Sequence, residues 1–308
     1  LLIELRAAFR LARVGLHLAW AAATVAVVFP WASQAVRRAL KRRWSRQLVG
    51  TLGIKLDVVG ATSRSFKLGA GGTVPRIPHG LLVANHVSWL DIYVINALAP
   101  AVFVAKDDVR SWPLIGWLCA NTDTIFLERG SRAAAQQTRA AIVEKLRAGL
   151  HVGVFPEGTT TGGERVLPFH SALFQGAIDA TAPVLPLALR YLDAAGQPSR
   201  APAYDGDITL WQSLGMIARS SGLTVQLRVL APMSGMAADR RQLAARSHEA
   251  IAFHLGCVGD TLGATASPSV APTGHRASGI PGDPPGAPQS GCRPIDNPSP
   301  TPEACPSA

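Results

Sequence analysis

The chain has 308 residues, 48% of them apolar and only 16% charged, with a net charge of +10. That length holds one substantial domain or two small ones, and so low a charge content argues for a protein that touches lipid. The charge excess is concentrated in residues 1–50, where nine Arg and Lys residues face a single acid, Glu4. A basic, Trp-containing segment binds nucleic acid or anionic lipid. No nucleic-acid motif follows it, so membrane lipid is the expected partner and nucleic acid is not.

Residues 14–31 contain no Asp, Glu, Lys or Arg. Eighteen residues is the lower limit for a spanning helix. Arg6, Arg10 and Arg13 precede this stretch, and Arg37, Arg38, Lys41, Arg42, Arg43 and Arg46 follow it. A single span would place one basic cluster on the far side, against the positive-inside tendency. A helix or helical hairpin lying in the interface would keep both clusters beside anionic headgroups. Residues 1–49 are therefore expected to be membrane-associating helices, with a true span and a buried core helix as the alternatives. Deleting residues 1–45 is expected to release the protein from membranes.

From residue 54 onward, short apolar runs alternate with helical patterns. Strands are predicted at 54–59, 81–84, 101–105, 124–127, 151–155, 184–190 and 223–230. Helices are predicted at 89–98, 108–120, 132–148, 171–180, 208–220 and 237–255. Ser131 is the expected N-cap of the third of these helices, and Gly149 its stop. The alternation predicts an α/β fold over residues 50–260, a central sheet with flanking helices. Residues 262–308 hold eleven of the 23 prolines. They offer too little apolar surface to offset ordering entropy, so 261–308 is predicted to be a disordered tail without a catalytic role. Cys119, Cys257, Cys292 and Cys305 form no CxxC pair and no His/Cys cluster with zinc spacing, so they read as reduced thiols and no metal is expected.

Three polar segments fall at the ends of successive strands. His86 follows the 81–84 run, and Asp91 lies five residues on. Side chains meet on a helix at three or four apart, so this pair meets only if His86 sits in the turn before the helix and Asp91 in its first turn. There the Asp fixes one imidazole nitrogen and leaves the other to take a proton. Alone, such a pair reads more readily as surface and capping chemistry. Phe155-Pro156-Glu157-Gly158-Thr159-Thr160-Thr161 follows the 151–155 run. Its threonines offer hydroxyls and N–H groups toward an anion, although a plain polar turn fits as well. The 124–127 run delivers Arg129, a guanidinium suited to phosphate, to the same edge.

Together these segments resemble the glycerolipid acyltransferase family, which includes bacterial 1-acyl-glycerol-3-phosphate acyltransferases. Asn85, His86 and Asp91 match its Asn-His-x4-Asp block, Phe126 and Arg129 its Phe-x-x-Arg, and Phe155 to Thr159 its Phe-Pro-Glu-Gly-Thr. Pro183-Val184-Leu185-Pro186 loosely matches a fourth, apolar block. The resemblance covers residues 50–235 and implies a mixed sheet. It also implies direct acyl transfer from acyl-CoA or an acyl carrier protein to a lysolipid, with no further cofactor. In that reading His86 is the general base and Asp91 orients it. Arg129, Glu157, Gly158 and Thr159 position the acceptor headgroup. An N–H of the Asn85–Val87 turn or of Gly158 receives the oxyanion.

The acceptor implied is 1-acyl-sn-glycerol-3-phosphate, giving phosphatidic acid on the cytoplasmic face of the inner membrane. One departure bears on it. Members acting on lysophosphatidic acid commonly carry a basic residue after the Phe-Pro-Glu-Gly-Thr block, where this chain has Thr160 and Thr161. Arg165 or Lys106 would have to compensate, and a lyso-ornithine lipid acceptor stays open. No Gly-x-Ser-x-Gly elbow supports a serine hydrolase, and Ser88 reads as a cap. A non-catalytic lipid binder would have no need of a base.

Overall fold

The apolar runs pair into one sheet in the computed structural model, which describes residues 1–60, 65–67, 77–127, 131–235 and 239–257. Arg129 and the tail from residue 258 lie outside the described residues, so the expected roles of both are not addressed by it. The strands are β1 (Lys55–Val59), β2 (Ser65–Lys67), β3 (Leu81–Ala84), β4 (Ala101–Lys106), β5 (Ile125–Leu127), β6 (His151–Val154), β7 (Val184–Leu192) and β8 (Thr224–Val229). Their spatial order is β2-β1-β8-β7-β3-β6-β4-β5. Strands β3 to β7 run parallel to one another, whereas β8 and β1 run the opposite way. The sheet is therefore mixed. Strand β2 was not anticipated: three residues are too few to show a period of two.

Strand β3 is buried at every position, as a central strand covered on both faces must be. One face packs Leu82, Leu185, Leu187 and Leu189 beneath α2 (Gln34–Thr51), α3 (Leu90–Leu98) and α7 (Leu210–Arg219). The other packs Leu81, Val83, Val152 and Val154 against α5 (Arg132–Arg147), α6 (Gln175–Asp179) and α8 (Arg240–Leu255). Burying a side chain such as Leu90 or Ile142 completely contributes about 1.5–3 kcal/mol. Ser131 caps α5 by accepting from Ala134 N. The helix expected over 108–120 is broken. A 3-10 turn at Asp107–Ser111 is followed by α4 only at Ile115–Ala120. Pro113 supplies the reason, since it lacks an N–H and pushes Trp112 into an extended conformation. The 171–180 stretch likewise opens as a 3-10 turn, Ser171–Phe174, before α6.

The N-terminal segment forms two helices, α1 (Leu2–Val27) and α2, and Ser33 caps the second. Among the described residues, no helix is long and apolar enough to cross a membrane. Residues 1–49 are not set apart from the sheet: Leu1–Gly263 forms one compact unit, in which α1 packs on α7 and α2 on α3. Part of the basic charge of residues 1–49 is used within the fold, while Arg13, Arg42 and Arg43 are exposed. Arg10 donates to Ala218 O and Ser220 O, and Arg6 to Arg219 O, so both cap the C-terminal carbonyls of α7. Arg46 donates to Ala97 O at the end of α3, and Lys41 to Ala101 O and Thr122 O. Much of the basic charge therefore satisfies helix ends and strand starts. The outer side of α1 exposes Leu2, Phe9, Leu16, Trp20 and Val27, with the Arg13 guanidinium over the Phe9 ring among them.

Candidate active site

Because β3, β6 and β7 are parallel neighbours, their carboxyl ends share one edge, where open α/β sheets place their sites. Asn85 closes the end of β3. Its amide donates to Leu189 O at 3.0 Å and accepts from Leu189 N at 2.8 Å, which continues the ladder with β7 through a side chain. The chain then turns, so that His86 stands before α3 and Asp91 lies in the helix's first turn.

His86 Nδ1 lies 2.8 Å from Asp91 Oδ2. Asp91 is completely buried, and Oδ2 also accepts from Val87 N at 2.8 Å and Ser88 N at 2.9 Å. A carboxylate only accepts, so Nδ1 carries the hydrogen and Nε2 is the basic nitrogen. The other carboxylate oxygen, Oδ1, accepts from the Tyr191 hydroxyl at 2.7 Å. Burial, followed by the Asp91 charge, holds the Tyr191 phenol well above its usual range, so it stays a donor. The cap expected at Ser88 is not formed: Trp89 takes the N-cap position of α3, and Ser88 Oγ accepts from Leu90 N at 3.3 Å as a local turn contact.

The Phe155–Thr161 loop clamps this turn from the neighbouring strand. The Phe155 ring stacks on the His86 imidazole, with centroids 3.9 Å apart and planes within 9°. Phe103 stacks behind Phe155, and Gly153 makes the space, since a Cβ there would lie 2.5 Å from the Phe103 ring. Glu157 is buried and holds two backbone amides, His86 N at 2.7 Å and Leu167 N at 2.8 Å. Burial pushes its carboxyl up to about 7, the nearby Asp91 charge adds to the rise, and the two amides oppose it. Thr161 N donates to His86 O at 2.9 Å, so both backbone groups of His86 are fixed by this loop. Gly158 turns the loop at φ +71°, and a side chain there would crowd the His170 ring at 3.3 Å.

Several expected contacts are thereby reassigned. Glu157 was expected to meet the headgroup, yet both its oxygens hold backbone amides. The Thr run was expected to face an anion, but Thr160 donates its hydroxyl to Tyr204 O, and Thr161 Oγ1 donates to Arg165 O at 3.3 Å. Thr159 alone of the three is exposed. The amides proposed for the oxyanion are committed too: His86 N to Glu157, Val87 N to Asp91, and Gly158 N to Phe155 O at 3.1 Å. The structure thus brings His86, Asp91, Glu157, Gly158 and Thr159 to one edge, with His86 and Thr159 the members turned outward. The His86 side chain is 19% exposed. Sequence reasoning missed Tyr191. The available signal was a phenol ending the alternation Leu185, Leu187, Leu189 on the α3 face of β7. Lys106, at the end of β4, and Arg165 are exposed cations on this side. Arg200 is engaged by Glu164 and, at 2.8 Å, by Asp205. Among the described residues, no group of His, Cys, Asp and Glu is placed to hold a metal ion.

The family model described as Acyltransferase matches residues 71–190. A 1-acyl-sn-glycerol-3-phosphate acyltransferase of Neisseria gonorrhoeae is 43% identical over 161 residues, which are 52% of this chain and 63% of that protein. The chain thus spans a little under two thirds of that relative. A lyso-ornithine lipid O-acyltransferase of Pseudomonas aeruginosa is 36% identical over 220 residues, covering 71% of this chain and 80% of that protein. The crystal structure of the 1-acyl-sn-glycerophosphate acyltransferase PlsC from Thermotoga maritima aligns with a TM-score of 0.57 at 20% identity, over 82% of this chain and 94% of that one. That likeness speaks to the fold alone. With the matched domain spanning His86, Asp91 and Glu157, and the Pseudomonas aeruginosa relative, 36% identical, matched over 80% of its length, the chain belongs to the acyltransferase family.

Proposed function

We propose that this protein transfers a fatty acyl group from an acyl thioester, acyl-CoA or acyl carrier protein, to the free hydroxyl of a lysolipid at a membrane surface. The observation that carries this reading is the 2.8 Å contact between His86 Nδ1 and the buried Asp91, which leaves Nε2 as the proton acceptor. The acceptor hydroxyl gives its proton to Nε2 as its oxygen attacks the thioester carbonyl. The C–S bond then breaks, and the imidazolium returns the proton to the departing thiolate. No acyl-enzyme is needed, and Asp91 offsets the imidazolium charge in between. Phe155 holds the ring plane, while Glu157 and Thr161 hold its backbone. The exposed apolar side of α1 rests on the bilayer, at the cytoplasmic face of the inner membrane.

The first acceptor is 1-acyl-sn-glycerol-3-phosphate, giving phosphatidic acid, with Arg129, Lys106 and Arg165 as the available cations. A specific observation favours a second. Thr160 and Thr161 replace a phosphate-contacting base and turn their hydroxyls inward, and the neighbouring Arg200 is neutralised by two carboxylates. This suits a headgroup with its own amine, such as a lyso-ornithine lipid, the acceptor named for the Pseudomonas aeruginosa relative. Thiol release from acyl-CoA, measured with each lysolipid and with none, tests both. Release only with acceptor supports a transferase and identifies the lipid. Release without acceptor points to a hydrolase, and no release with any donor or acceptor to a binder. His86→Ala should lower turnover by about 10²–10⁴ while keeping the fold. A folded variant with near-normal turnover would remove His86 from its role.

A further inference from the structure

We propose that Tyr191 is a positioning residue of the reaction, which acts through its hydrogen bond to Asp91 Oδ1 to set how tightly Asp91 Oδ2 holds the His86 imidazole. The inference rests on the reading of His86 as the base. The two Asp91 oxygens are loaded unequally: Oδ2 accepts from His86 Nδ1, Val87 N and Ser88 N, whereas among the described residues Oδ1 accepts from Tyr191 alone. Tyr191 is 3% exposed and Asp91 fully buried, so no solvent competes for either group. The alternation of β7 puts the phenol on the α3 face, and the side-chain bridge from Asn85 to Leu189 fixes β7 against the His86 turn. The distance of 2.7 Å is that of a charge-assisted O–H to carboxylate bond.

A donor on Oδ1 draws negative charge away from Oδ2. Removing it returns that charge to Oδ2, strengthens the bond to Nδ1–H, and stabilises the imidazolium over the neutral ring. Tyr191 therefore loosens the hold of Asp91 Oδ2 on the His86 Nδ1–H. The groups turned toward Asp91 are His86 from the turn after β3, Tyr191 from β7 and Glu157 from the loop after β6. Helix α2 places Arg46 at the far end of α3, on Ala97 O.

The test compares the full chain with Tyr191→Phe and with 3,5-difluorotyrosine at position 191, a stronger donor of nearly the same shape. Two readouts are followed: the downfield proton resonance of His86 Nδ1–H, and the acid limb of kcat/KM against pH. Each is repeated in a Glu157→Gln background, so that the Glu157 titration is not taken for that limb. With Phe, the resonance moves downfield and the limb rises by about half to one pH unit, while the plateau stays within about threefold. Difluorotyrosine moves both readouts the other way. If Tyr191→Phe does not fold, difluorotyrosine decides alone. Resonance and limb unmoved in every folded variant would overturn the proposal, whereas a plateau that falls with the limb fixed would make Tyr191 merely structural. Wild-type protein without transferase activity would sink the functional reading instead, and the resonance would still report the coupling.

Discussion

Glu157 carries a distinct pH signature within the candidate site. Its carboxyl is buried between the His86 and Leu167 amides and is pushed up to about 7 from an ordinary 4.5. The sign follows from linkage. The folded protein binds this proton more tightly than the unfolded chain, so the associated stability is fully present below about 4.5 and is lost as pH rises through about 7. A displacement of this size amounts to about 3 kcal/mol between the ends of the window. Glu157→Gln removes the titration and keeps the shape. Its amide oxygen can satisfy one backbone N–H, but its NH2 group faces the other, a fixed cost of about 1–3 kcal/mol. Urea unfolding of both proteins from pH 4.5 to 8, followed by tryptophan fluorescence, separates the two effects. The variant should be the less stable protein at the acid end. Its disadvantage should shrink or reverse at the alkaline end, with the difference moving by about 3 kcal/mol overall. A difference that stays constant across the range would show that Glu157 is not a buried, proton-linked brace.

Asp91→Asn should fold, because the amide can turn its oxygen to the His86 side and its NH2 to the Tyr191 oxygen. Without the negative charge, turnover should fall by about 10² or more with little change in Tm. Asn85→Ala strips the partner from both backbone groups of Leu189 in a buried strand. It should cost about 2–4 kcal/mol in urea unfolding, and a loss below 1 kcal/mol would contradict the bridge. Replacing exposed Leu16 and Trp20 together by Gln should weaken co-sedimentation with anionic vesicles and leave unfolding stability unchanged. This is a cleaner test than deleting residues 1–45, which would also remove Trp44 and the Arg10 contacts to α7 and lay bare packed surface of α3.

What the sequence disclosed follows from the range of each interaction. The His86–Asp91 arrangement was legible because a local rule governs it: at a spacing of five, the pair meets only across a helix start. The seven strands that were expected are marked by short apolar runs, a signal each carries within itself. The uses of Glu157, Thr160, Thr161 and Arg10 were not legible, because their partners lie 10, 44, 75 and about 210 residues away. A carboxylate that will hold two amides reads in sequence like one that will meet a ligand, and an arginine that will cap a distant helix reads like one destined for a headgroup. Tyr191 belongs to the same class, 100 residues from Asp91. The consequence for function is specific. The family motif around Phe155–Thr161 acts in this chain chiefly on His86 itself, through a ring stack, a carboxylate and an amide. Selectivity for the acceptor is therefore sought in Arg129, outside the described residues, and in the outward groups on that edge, Thr159, Lys106 and Arg165, rather than in Thr160, Thr161 and Glu157.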